Sequence, residues 1–105
     1  MIEDLTDFFK AVGDSTRLRI INLLINYPAL NVNDLTTILK LPQSKISRHL
    51  SVLRHSKWLV FNRRDKWVYY KINPELDPQL LDAFRNLFKN YLHFESDLKS
   101  VKHNF

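Results

Sequence analysis

The sequence predicts a mainly α fold that carries one small β-hairpin. Apolar residues recur at helical spacing in several segments. A proline-marked turn divides two of them, and a run with period-two alternation follows near residue 67. With 105 residues, 45% of them hydrophobic, the chain has material for a single domain, residues 1–105, around a modest core.

Taken in order, Ile2, Leu5, Phe8, Phe9 and Val12 share one helical face, and Gly13, the only glycine, is expected to close that helix. Asp14 or Ser15 can cap a second helix, in which Leu18, Ile21, Leu24 and Ile25 face inward and Tyr27-Pro28 marks the end. Asn31 or Asn33 starts a short third helix with Leu35, Ile38 and Leu39 inside. A turn over Lys40 to Pro42 leads into a fourth helix, so this pair has the spacing of a helix-turn-helix. Trp58 to Asn62 and Trp67 to Ile72 read as two strands joined by the tip Arg63-Arg64-Asp65-Lys66. Trp67, Tyr69 and Tyr70 are expected to pack into the core rather than stack on bases. Asp77 then caps a last helix with Pro78 in its first turn, and a broad apolar stripe runs from Leu80 to Leu92.

The fourth helix carries the most information. Ile46, Leu50 and Leu53 form one buried stripe, while Gln43, Ser44, Lys45, Ser47, Arg48 and Ser51 occupy the other face without a single acid. A solvated helix face usually carries long Glu and Lys side chains. Hydroxyls, an amide and two cations suit entry into a DNA groove, where Gln and Arg read base edges and Ser and Lys hold phosphates. Gln43 and Arg48 are the expected base contacts, with Ser44, Lys45 and Ser47 shared between bases and backbone. His49 lies beside the buried stripe and suits packing or a phosphate, and Arg54 suits a phosphate at the far end. Arg63, Arg64 and Lys66 at the hairpin tip are expected on flanking backbone or in the minor groove.

Charge supports this reading. The net charge is +5, but residues 40–71 hold nine cations against the single acid Asp65, a net of +8. The remainder holds seven cations against ten acids, a net of −3. The middle third is therefore the electrostatic footprint for a polyanion. It lacks the long amphipathic helix that would insert at a membrane surface. The absence of cysteine removes disulfides, thiolate metal sites and cysteine redox switching. No secretory signal and no bilayer-spanning run are visible, so a soluble cytoplasmic protein is expected. No constellation suits an enzyme. The rival readings are a protein-interaction module using the same basic face and an architectural DNA-binding protein of low specificity.

Three helices containing a helix-turn-helix, a hairpin and a further helix describe a winged helix-turn-helix. Three segments together resemble the ArsR/SmtB family of prokaryotic repressors: Gly13-Asp-Ser-Thr-Arg-Leu-Arg-Ile-Ile-Asn-Leu-Leu24, Gln43-Ser-Lys-Ile-Ser-Arg-His-Leu-Ser-Val-Leu-Arg54 and Trp67-Val-Tyr-Tyr-Lys71. The resemblance spans roughly residues 5 to 92. It implies a homodimer, paired through the first and last helices, on an imperfect palindrome of double-stranded DNA. Leu5, Phe8, Leu80, Leu81, Phe84, Leu87, Phe88 and Tyr91 are the expected pairing residues, the stripe being wider than one small core needs.

Departures from the family pattern bear on the effector, which stays unidentified. Where soft-metal sensors carry Cys-Val-Cys, this chain has Asn31-Val32-Asn33. For the zinc pattern of the last helix, a start at Asp82 yields Phe84, Glu95 and Leu98, and a start at Asp77 yields Gln79, Asn90 and His93. Neither set suffices, and His93 with Asp97 and a distant His103 is a poor substitute, so no metal or other cofactor is expected. Lys57 stands where the family commonly has glycine, and the hairpin tip also lacks one.

Overall fold

The computed structural model describes residues 2–104, with side chains through Lys102. The order is α1 (Ile2–Ala11), α2 (Ser15–Asn26), β1 (Leu30–Asn31), α3 (Val32–Leu39), α4 (Gln43–His55), β2 (Leu59–Arg64), β3 (Trp67–Ile72), α5 (Pro78–Phe88) and α6 (Leu92–Asn104). Caps fall where short polar side chains can serve the orphan amides of a first turn. Asp14 accepts from the Arg17 amide, Asn31 and Asp34 form a reciprocal capping box, and Asp77 caps α5 ahead of Pro78.

Ile20, Ile21, Leu23, Leu35, Ile46, Leu50, Leu53 and Trp58 are fully buried and form the centre of the core. Trp58 fastens α1 to it. The Phe8 and Trp58 rings stack with centroids 4.0 Å apart, and the indole N–H donates to the Phe8 carbonyl at 2.7 Å.

The sheet has three antiparallel strands in the order β1-β3-β2, not the hairpin alone. Leu30 and Asn31 pair with Tyr70 and Tyr69; a two-residue strand leaves no period to detect in sequence. The expected basic tip is shorter than four residues. β2 runs through Arg64 and pairs it with Trp67, which leaves only Asp65 and Lys66 in the turn.

The last helix is also corrected. The apolar stripe from Leu80 to Leu92 does not lie on one helix: α5 ends at Phe88, the chain turns over Lys89 to Tyr91, and α6 begins. Folding back lets Phe94 meet Phe88, centroids 4.6 Å apart, and buries Val101 against the core, apolar surface that a straight helix would carry into water. On α6, Asp97 receives two parallel bonds from Arg19 at 2.9 Å each, and the Phe94 carbonyl accepts from the Asn22 amide at 3.2 Å. Among the described residues no helix is long and apolar enough to cross a membrane.

Gly13 does not adopt the left-handed conformation expected of a helix-closing glycine. That conformation belongs to Lys40 (φ 57°), Lys57 (φ 76°) and Asp65 (φ 56°). At Lys57 the geometry is a Schellman motif. The Trp58 amide donates to the Leu53 carbonyl at 3.0 Å and the Lys57 amide to that of Arg54 at 3.1 Å. The buried Leu53 and Trp58 side chains flank the turn.

Candidate nucleic-acid interface

The turn between α3 and α4 depends on Lys40 in the left-handed region and on Pro42, whose carbonyl accepts from the Lys45 and Ile46 amides at 3.1 Å each. No side chain caps α4 and no acid occupies its first turn, so that end keeps its positive dipole unneutralised. Burial of Ile46, Leu50 and Leu53 fixes the rotation of α4 and turns Gln43, Ser44, Lys45, Ser47 and Arg48 outward together. None of these five side chains makes a hydrogen bond or ion pair with any described residue. They form a continuous exposed face of donors.

His49 is different, being only 7% exposed. Its Nδ1 lies 3.2 Å from Nη1 of Arg17 and 3.9 Å from Oδ2 of Asp14. A guanidinium can only donate, so Nδ1 presents its lone pair and the neutral ring carries its proton on Nε2. Burial pushes the imidazole below its ordinary value of 6.5; Asp14 opposes this, and Arg17, Arg48 and Lys45 add to it. Asp14 lies below its usual 3.8. Burial works against that direction but is outweighed by the amide bond from Arg17, the charges of Arg17 and His49, and the Thr16 amide. Arg17 Nε also donates to the Ala11 carbonyl, so one side chain joins α1, α2 and α4. Arg17 did not stand out in the sequence, because nothing there shows that residues 17 and 49 meet.

Aromatic rings of the wing carry three cations, one from α4 and two from the wing itself. Arg54 lies over Phe61 at 4.9 Å, Arg64 over Tyr69 at 5.5 Å and Lys66 over Trp67 at 5.7 Å. Trp67 is thus not a core residue as expected; at 39% exposure it is a platform for Lys66 near the hairpin end. Tyr69 and Tyr70 are half-buried, and Arg63 is exposed.

The expected pairing residues divide. Leu5, Leu87 and Tyr91 are exposed, as are Ile2, Phe9 and Leu92, which gives α1 and the α5–α6 elbow an apolar surface. Phe8, Leu80, Leu81 and Phe84 pack halfway against the chain's own core. Phe88 is buried within it between Phe84 and Phe94, and offers little to a partner. Asp97 is taken up by Arg19 and so is not set beside His93 as a free ligand, while the His103 side chain lies outside the described residues. No group of three or more His, Asp or Glu suited to a metal occurs among the described residues.

A helix-turn-helix followed by a basic β-wing on one trihelical core defines a winged helix-turn-helix domain. Residues 14–56 match the family described as bacterial regulatory protein, arsR family. The arsenic resistance transcriptional regulator ArsR1 of Pseudomonas putida is 45% identical over 75 residues, covering 71% of this chain and 58% of that protein. The transcriptional repressor PagR of Bacillus anthracis is 43% identical over 72 residues, covering 69% and 72%. The crystal structure of PagR superposes with a TM-score of 0.69 at 37% identity, over 82% of this chain and 94% of that one. The chain belongs to the ArsR family of bacterial regulators. It spans a little under two thirds of the length of the arsenic-resistance relatives, 58% of ArsR1 among them.

Proposed function

We propose that the protein is a homodimeric transcriptional repressor that binds a pseudo-palindromic promoter site. Each protomer inserts α4 into a major groove and lays its wing on the flanking backbone. The observation that carries this reading is the face of Gln43, Ser44, Lys45, Ser47 and Arg48, exposed together and without a hydrogen bond or ion pair to any described residue. Arg54, Arg63, Arg64 and Lys66 extend the cationic surface to either side. The exposed Leu5, Phe9, Leu87 and Tyr91 support pairing of two protomers through α1 and the elbow, which would set two α4 helices on one duplex. The two relatives are named as regulators or repressors of transcription, which favours repression over architectural binding.

The test is competition binding with duplex taken from immediately upstream of the protein's own reading frame, together with sedimentation at working concentration. Dimers that prefer this duplex over random DNA by about 10³-fold or more support the reading. A ratio near unity points to an architectural protein. A monomer that binds no duplex at low salt overturns the proposal.

A further inference from the structure

Resting on the DNA-binding reading above, we propose that Arg17 and His49 are a positioning pair: they hold α4 at its reading angle only while His49 is neutral, which makes acid a release signal for DNA. Neither side chain belongs to the outward face of α4. His49 sits directly behind it, next to Arg48 in sequence and one turn from Lys45.

The geometry makes the link sensitive to one proton. Arg17 spans the end of α1 through the Ala11 carbonyl and the middle of α4 through Nδ1 of His49. A proton on Nδ1 removes the only acceptor that ring position offers and leaves two cations about a hydrogen bond apart. Four charged groups act on the ring: Asp14 and Arg17 from α2, Lys45 and Arg48 from its own helix. Three cations against one acid disfavour the imidazolium in place. Among the described residues the acid that attracts the protonated ring is Asp14, its carboxylate 3.9 Å away. Engaging it exchanges the Arg17 bond for a charge pair with the cap of α2, and that shifts the centre of α4. Displacements of about 1 Å are enough to spoil bidentate base contacts.

The opposite behaviour is equally definite. If His49 met a phosphate in the complex, the anion would favour imidazolium and acid would tighten binding.

The decisive experiment measures affinity for the upstream duplex from pH 8 to 5.5 at fixed ionic strength, for the wild type and for His49→Asn. Asparagine keeps an acceptor near the Nδ1 position and cannot be protonated. Wild-type affinity is expected to fall as pH drops through the His49 transition. With two such groups per dimer, the fall is at most about 100-fold per pH unit. His49→Asn, compared with its own affinity at pH 8, is expected to lose most of the decline. Tighter wild-type binding in acid that His49→Asn abolishes, or an unchanged decline in His49→Asn, overturns the proposal.

A second readout needs no DNA. Nitrogen NMR of the intact protein at pH 8 is expected to find the His49 proton on Nε2, with Arg17→Met altering that signal while the helical circular dichroism is kept. A proton on Nδ1 overturns the pair whatever the protein binds. Absence of specific DNA binding at pH 8 with the expected tautomer condemns the functional reading and spares the Arg17–His49 link.

Discussion

Arg19 and Asp97 are joined by two parallel hydrogen bonds of 2.9 Å across 78 residues of sequence, with the carboxylate side chain 5% exposed. This fork fixes α6 on α2, and with it the position of the elbow that displays Leu87, Tyr91 and Leu92. Such a pair contributes most visibly when broken, because the surviving charge stays buried without a partner. Asp97→Ala is expected to cost about 3 kcal/mol by denaturant titration. Arg19→Met combined with Asp97→Leu is expected to recover most of the loss. Equal destabilisation of the single and double variants would show that packing, not the ion pair, seats α6.

Lys57 occupies the glycine position of a Schellman motif at φ 76°. An L side chain there costs about 1–2 kcal/mol, partly offset in the glycine variant by its more flexible unfolded chain. Lys57→Gly should therefore stabilise the domain by about 1 kcal/mol and raise Tm by several degrees. Because it also removes an exposed cation beside α4, affinity for all duplexes should fall slightly and equally. A lower Tm would contradict the left-handed assignment.

Arg48 and Lys66 should fail in different ways. Arg48→Ala is expected to cost about 1–3 kcal/mol on the preferred duplex and to relax selection at one base position per half-site. Lys66→Ala should weaken every duplex alike and lower the salt slope by about one per protomer. Unchanged base preference in Arg48→Ala would remove that residue from the reading face.

Stability should fall in two stages on acidification. His49 is held below 6.5 in the fold, so the unfolded chain takes up its proton first. The stabilisation is complete above 6.5 and drains away as pH falls through the folded value. Asp14 is held below 3.8, so its contribution persists above 3.8 and disappears as pH falls beneath it. Urea midpoints followed against pH should show the upper stage in wild type and not in His49→Asn.

Neither arsenite, zinc nor a chelator is expected to change DNA affinity. The chain contains no thiolate, and the carboxylate nearest a ligand pattern, Asp97, is committed to Arg19. A tenfold shift on adding zinc would show that residues outside this pattern bind it.

The first four helices and the outward face of α4 were legible because local chemistry writes them: Asp14 and Asn31 each as one of two cap candidates, Pro42 as a turn, Ile46, Leu50 and Leu53 as a stripe. What escaped was set by contacts distant in sequence. Leu30 and Asn31 become a strand only because β3 lies alongside, and α5 stops at Phe88 because Phe94 and Val101 gain a core by folding back. Trp67 was misplaced because period-two alternation marks a strand's two faces without saying which one is covered. Arg17 was missed for a related reason: its side chain bonds to Ala11 on α1 and to His49 on α4, two helices whose meeting local pattern does not show.

The rings beneath Arg54, Arg64 and Lys66 bear on the entropy of capture. A long cationic side chain ordinarily surrenders rotamer freedom when it docks, at about 0.5–1.5 kcal/mol each. Three that already rest on aromatic supports have met part of that demand before any strand arrives. The wing thus greets its target as a braced surface rather than a brush of loose tethers.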